Sequence, residues 1–154
     1  MKVYERQHGD YVISDDQARL DLEVIHTYLS RESYWARGVP RDLVAQSLKN
    51  SLCIGVYGSG GAQAALARVV TDGATFGWLC DVFVLPAHRG QGLGKALMQA
   101  VLSHPYLQNV RRLALATRDA HGLYAQFGFT PLADPRTQME KRLIQSYSTD
   151  GPAS

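Results

Sequence analysis

Val82-Phe83-Val84-Leu85-Pro86-Ala87-His88-Arg89-Gly90-Gln91-Gly92-Leu93-Gly94-Lys95-Ala96-Leu97 reads as a strand, a corner and a helix in immediate succession. The β-branched, apolar run ends at Pro86, and a glycine-rich corner follows. Leu93, Leu97 and Val101 then recur at a spacing of four, with Ala96 and Ala100 beside them, which is helical. Such a corner exposes main-chain N–H groups at a helix N-terminus and suits a phosphate group. Arg89 and Lys95 flank it with positive charge.

Working outward, residues 76–85 form the strand that leads into the corner, and residues 112–116 the next buried strand. Upstream, residues 51–57 and 62–71 read as two strands joined by Gly58-Ser59-Gly60-Gly61, a hairpin signal. Thr71-Asp72-Gly73 is a second tight turn. Residues 11–14 read as a short strand, with Asp15 and Asp16 as N-cap candidates for a helix carrying Ala18, Leu22, Ile25 and Leu29. Pro40 opens a second helix, pinned by Leu43, Val44 and Leu48. Asp119 caps a short helix ending near Phe127-Gly128-Phe129, where Gly128 suits a left-handed position. Residues 138–142 are a candidate last strand. Hairpins followed by strand–helix–strand–helix imply an α/β (α+β) fold. The expected form is a mixed, mostly antiparallel central sheet of about six to seven strands with about four helices on both faces.

The chain has 154 residues, 45% hydrophobic and 19% charged, with a formal net charge of +2. That size supports one globular domain over residues 1–145, with 146–154 as a small, polar, frayed tail. So small a charge gives no reason to expect nucleic acid or a membrane surface as partner. Cys53 and Cys80 sit in strand-like apolar runs and read as buried free thiols, without a zinc pattern. A cytoplasmic, reducing setting and no metal are the expectations.

Three phosphate motifs compete for the corner. A P-loop needs Gly-x-x-x-x-Gly-Lys-Ser/Thr, but Arg89 stands at the leading glycine and Ala96 follows Lys95. A dinucleotide loop needs Gly-x-Gly-x-x-Gly, but Lys95 or Leu97 falls at its last position. Arg/Gln-x-x-Gly-x-Gly/Ala is met by Arg89, Gly92 and Gly94. Downstream, Ala120, Tyr124, Gly128 and Phe129 follow the strand at 112–116. Together these two blocks resemble the signatures of the GNAT superfamily of acyl-coenzyme A N-acyltransferases.

That resemblance implies acetyl-coenzyme A as acyl donor, held at the pyrophosphate by Arg89, Gly90, Gln91, Gly92, Leu93, Gly94 and Lys95. It implies that the Val82-Phe83-Val84 main chain lies along the pantetheine arm and donates to the oxyanion. It implies Tyr124 as proton donor to the departing sulfur, a role that a phenol of pKa near 10 fills without tuning. Thr117 stands where the family often has asparagine on a pantetheine amide. The acceptor would be a primary amine of a small molecule or peptide, attacking directly, and a homodimer is compatible with this reading. A non-catalytic acyl-coenzyme A sensor on the same fold is the alternative.

Asp81 is a carboxylate in an apolar stretch beside the expected thioester. It is a base candidate, an anchor for a cationic amine, or a carboxylate bound by an arginine or a main-chain N–H. Unbroken alternation would put residues 76, 78, 80, 82 and 84 on one face and 77, 79, 81, 83 and 85 on the other. On the acceptor side, Tyr34, Trp35 and Trp78 are candidate walls, or else Tyr34 and Trp35 are core. Glu32 is a candidate for a second positive charge. Arg68 and Arg118 would meet an acidic substrate or simply solvate strand ends. No feature selects among amino acids, polyamines, aminoglycosides, peptide amines and lysine side chains.

Overall fold

A computed structural model describes residues 2–147 of the chain. Six strands form one sheet in chain order: β1 (Glu5–His8), β2 (Tyr11–Ser14), β3 (Leu52–Tyr57), β4 (Gln63–Thr71), β5 (Phe76–Val84) and β6 (Arg112–Leu115). Neighbours from β1 to β5 are antiparallel, and β5 pairs with β6 in parallel. Parallel neighbours need a crossover, here the corner and α3 (Leu93–Ser103).

Two apolar cores cover the two faces. On one, Leu93, Ala96, Leu97, Met98, Ala100 and Val101 of α3 pack on Ile54, Val56, Ala65, Ala67 and Val69. The alanines of β4 let the helix approach closely. The short α4 (His121–Ala125) adds Tyr124 to this core. On the other face, α1 (Leu22–Thr27) and α2 (Arg41–Lys49) bring Ile25, Val44 and Leu48 onto Cys53, Leu66 and Phe83. A fully buried side chain of this kind contributes about 1.5–3 kcal/mol. Helices on both faces of a mostly antiparallel sheet match the expected fold.

Several boundaries differ from the sequence expectation. β1 was not expected, because its residues are polar and largely exposed. It forms because Gly9, at φ +56°, turns the chain back so that Glu5–His8 pairs with β2. The first helix starts at Leu22, capped by Asp21, whose carboxylate accepts the Val24 N–H at 3.2 Å. Asp16 caps only a single turn, Gln17–Arg19. Asp15 caps nothing: its carboxylate accepts the Tyr4 N–H at 2.8 Å and lies 2.7 Å from His104 Nε2. Residues 138–142 form no strand. In the segment expected to fray, Tyr147 packs against the second core, and 148–154 lie outside the described residues.

Candidate functional site

The pairing of β5 with β6 stops early. Phe76↔Arg112 through Leu79↔Leu115 are in register, and β6 ends there. β5 continues to Val84 with its other edge on β4. Beyond Leu79 the edge facing β6 therefore opens into a cleft of about 920 Å³. Leu79 to Val82 line one side, and Leu115 to Ala120 with Tyr124 line the other. Main-chain groups on such an edge can bind an extended guest as if it were another strand.

A bulge shapes this edge. Between the pairs Leu66↔Phe83 and Arg68↔Cys80, Ala67 stands opposite two residues, Asp81 and Val82. Asp81 has φ +50°, a left-handed value that aspartate tolerates better than most side chains. The expected alternation breaks here. Leu79 lies in the core under α3, and Val82 and Val84 pack against that same core, while Phe83 lies in the other.

The bulge turns the Asp81 carboxylate onto Arg68. Arg68 Nε–H donates to Oδ2 at 2.8 Å, and Trp35 Nε1–H donates to Oδ1 at 2.8 Å. The Arg68 and Asp81 side chains are only 16% and 9% exposed. Burial works against the Arg68 charge, but the Asp81 carboxylate, with smaller contributions from Cys80 and Cys53, outweighs it and holds the guanidinium above its ordinary pKa. Of the alternatives for Asp81, the geometry is that of a carboxylate paired with an arginine. Arg68 solvates no strand end.

Tyr124 is positioned by the turn that follows it. Gly128, at φ +87°, closes α4: its N–H reaches the Ala125 carbonyl at 3.1 Å, and the Phe129 N–H reaches the Tyr124 carbonyl at 3.2 Å. This paired arrangement brings Phe129 edge-on to the Tyr124 ring, with centroids 5.9 Å apart. The spacing from tyrosine to Gly-Phe thus has a mechanical reason. Tyr124 is 8% exposed, and burial first, then its electrostatic interactions with Tyr34 and Asp119, raise its pKa. Asp119 does not cap α4. No side chain does: the Thr117 Oγ1 accepts the N–H of Ala120, the residue before the helix, at 3.0 Å and so fixes the turn that leads into it.

The glycine corner lines a second hollow of about 290 Å³ with Val84, Arg89, Gly90, Gly92, Leu93, Gly94 and Lys95. Gly90 and Gly92 have φ +81° and +77°, which explains glycine at both. Arg89 Nε–H donates to the Val84 carbonyl at 3.0 Å, tying the corner to the strand end. Gln91 does not line the hollow; its carbonyl accepts from His8 Nε2 at 3.0 Å. Phe83 turns its ring away, stacking on Tyr28 at 4.2 Å, so only its main chain can serve the open edge.

A family model described as the acetyltransferase (GNAT) domain matches residues 49–131. A candidate acetyltransferase of Gibberella zeae is 35% identical over 140 residues, 77% of each protein. The chain belongs to the GNAT acetyltransferase family. A candidate GNAT-family acetyltransferase from Xanthomonas campestris pv. campestris, 49% identical, superposes with a TM-score of 0.88 over 93% of this chain and 100% of that one. A candidate acetyltransferase from Deinococcus radiodurans, 16% identical, shares the fold, with a TM-score of 0.69 over 90% of this chain and 92% of that one.

GNAT acetyltransferases generally use acetyl-coenzyme A. This one has a strand edge left unpaired by β6 beyond Leu79 and a glycine corner at the start of α3. Among the described residues, no group of three or more His, Cys, Asp or Glu is placed to hold a metal ion. No helix among them is long and apolar enough to cross a membrane. Tyr34, Trp35 and Trp78 all line the cleft and are 40%, 41% and 38% exposed, so none of them is core. Tyr34 bridges the cleft mouth: its hydroxyl accepts the Arg118 main-chain N–H at 2.8 Å. Glu32 is not among the lining residues. Arg37, Arg142 and Tyr147 line the cleft without having been singled out from sequence. They come from segments far apart in the chain, and no local pattern marks them.

Proposed function

We propose that this GNAT acetyltransferase moves the acetyl group of acetyl-coenzyme A onto a primary amine of a small molecule or peptide by direct attack, in one domain spanning residues 1–145. The unpaired β5 edge beyond Leu79, running from the cleft to the glycine corner, carries this conclusion. When bound, acetyl-coenzyme A supplies an acyl group activated as a thioester. The N–H groups of Gly90, Gly92, Leu93, Gly94 and Lys95, with the Lys95 and Arg89 charges, hold the pyrophosphate. The main chain of Val82, Phe83 and Val84 binds the pantetheine arm, and its N–H groups stabilise the oxygen on which charge gathers. Thr117 keeps its hydroxyl proton to donate toward that arm.

As the amine nitrogen bonds to the acyl carbon and the carbon–sulfur bond breaks, the Tyr124 hydroxyl gives its proton to the sulfur. Its raised pKa keeps that proton in place through the neutral range. Water in the open cleft takes the amine proton, and a proton returned from that water restores the Tyr124 hydroxyl, so the products are the amide and coenzyme A thiol. Asp81 acts as a positioning residue that fixes Trp35 on the acceptor wall.

Tyr124→Phe tests this reading. The expected kcat falls about 100-fold or more, while acetyl-coenzyme A binding by calorimetry is unchanged. An unchanged kcat removes Tyr124 from the acid role. Tight cofactor binding with no thiol release from any amine would mark a sensor instead of an enzyme.

A further inference from the structure

Beyond its aromatic walls, the acceptor side of the cleft is lined by three arginines, Arg37, Arg118 and Arg142. The acidic lining consists of Asp81 and Asp119. Asp81 is already neutralised by Arg68. Three cations therefore face the single remaining carboxylate.

Two of those cations have no acidic partner among the described residues. Arg37 donates to the Arg31 main-chain carbonyl at 3.1 Å, which leaves its charge unmatched. The Arg118 guanidinium lies 3.8 Å from the centroid of the Tyr34 ring. Stacking on an aromatic face restricts an arginine while leaving its N–H edge able to bind. The ring is itself fixed, because the Tyr34 hydroxyl accepts the Arg118 main-chain N–H and Trp35 packs edge-on at 5.1 Å. Arg142 is satisfied differently, through exposed Glu140 at 3.4 Å. A planar guanidinium held at a cleft mouth without a counter-ion is suited to a carboxylate or phosphate.

We propose that the acceptor is an amine carrying an anionic group, with the anion held by Arg118 and Arg37 while the amine reaches the open β5 edge. This rests on the acetyltransferase reading and adds the chemical class of its acceptor. An acceptor whose second charge is positive, such as a polyamine, meets repulsion at the same place. Arg118 and Arg37 are thus specificity-determining residues.

Four acceptors on one scaffold test the proposal: benzylamine, 4-(aminomethyl)benzoate, 4-(aminomethyl)phenylphosphonate and 1,4-bis(aminomethyl)benzene. Release of coenzyme A thiol gives kcat/KM for each. The chain has two tryptophans, Trp35 and Trp78, and both line the cleft. Their fluorescence therefore reads acceptor binding without turnover. At low salt, the carboxylate or the phosphonate is expected to exceed benzylamine by about tenfold or more. The diamine is expected to fall below benzylamine. Which anion leads separates a carboxylate-bearing from a phosphate-bearing acceptor. The preference should shrink as salt rises, because the arginines are exposed.

In Arg118→Gln and in Arg37→Gln the anion-to-neutral ratio should drop toward one. The main-chain tie to Tyr34 survives in Arg118→Gln, and coenzyme A binding by calorimetry checks that each variant is folded. Equal or better use of benzylamine or the diamine overturns the proposal and leaves the acetyltransferase reading intact. Selective fluorescence binding of the anions with no thiol release from any acceptor supports the anion site and overturns the acetyltransferase reading. Neither turnover nor selective binding overturns both.

Discussion

Replacing Asp81 with Asn distinguishes a positioning carboxylate from a catalytic base. Asparagine tolerates the left-handed φ of +50° as well as aspartate does, so no backbone strain is added. The site presents two donors, Arg68 Nε–H and Trp35 Nε1–H, each 2.8 Å from its own carboxylate oxygen. An amide offers one oxygen to accept from one donor and turns its NH₂ toward the other. Arg68, 16% exposed, also loses its counter-charge. Removing one partner of a buried ion pair costs about 3–5 kcal/mol, and the surviving amide hydrogen bond returns about 1 kcal/mol. The expected loss is about 3 kcal/mol, or roughly 6–12 °C in Tm for a chain of this length. Thermal melts and denaturant titrations read the stability, and initial rates across pH read the chemistry. KM for the amine should rise as Trp35 is released, kcat should change less than about tenfold, and the pH–rate profile should keep its shape. The opposite pattern sinks the positioning role. It would be a Tm within about 2 °C of the parent, with kcat down about 100-fold and the acid limb of the profile gone.

Burial pushes the Cys53 thiol up to about 12 and the Cys80 thiol up to about 11. Both folded-state values are raised, so the unfolded chain loses these protons first. Stability should be full below the ordinary thiol pKa of about 8.5. It should then fall as pH rises toward 11, by up to about 1.4 kcal/mol per pH unit for each thiol. Melts from pH 7 to 11 check this; Cys53→Ala should remove its share of the slope, and a curve flat to pH 11 contradicts it. Gly128→Ala meets no atom within 4 Å, so only strain at φ +87° acts. It should cost about 1 kcal/mol and lower Tm by roughly 2–4 °C; an unchanged melt refutes the turn's role. The Tyr57 hydroxyl is buried without a hydrogen-bond partner among the described residues. Tyr57→Phe should therefore gain about 1 kcal/mol and raise Tm by a few degrees, and a lower Tm would show a partner for that hydroxyl.

The glycine corner and α3 are legible in the sequence because their demands are local. Positive φ at Gly90 and Gly92 requires glycine, and the apolar face of α3 repeats within eleven residues. The Ala120-to-Phe129 block is legible for a similar reason, since the turn at Gly128 joins Tyr124 to Phe129 within six residues. β1 carries no apolar face, and its pairing depends on β2 rather than on its own pattern. The candidate strand at 138–142 shows the reverse error: all five residues are exposed, and its one apolar side chain, Met139, is 98% exposed, so no face there is buried against the sheet. The bulge was hidden because an extra residue leaves the apolar character of β5 unchanged. Its one trace was an aspartate in the middle of an apolar run, a residue depleted in strands and tolerant of left-handed φ.

The two halves of the proposed site are built from different materials, and this explains why the donor half could be read whole while the acceptor half offered Tyr34, Trp35, Trp78 and Arg118 but not Arg37 or Arg142. The donor half is main chain: an unpaired strand edge and the N–H groups of a glycine corner. Its geometry follows from where β6 stops and where glycine permits positive φ. The acceptor half is side chains from four separate segments: Tyr34, Trp35 and Arg37, then Trp78, then Arg118, then Arg142. Only the folded sheet brings them together, and no spacing in the chain records it. The Arg68–Asp81–Trp35 connection links the halves, because the bulge that shapes the strand edge also points the carboxylate that holds the acceptor wall. Substitutions at Arg37 or Arg118 can therefore retune the acceptor without disturbing the donor cradle, whereas a substitution at Asp81 is felt on both sides.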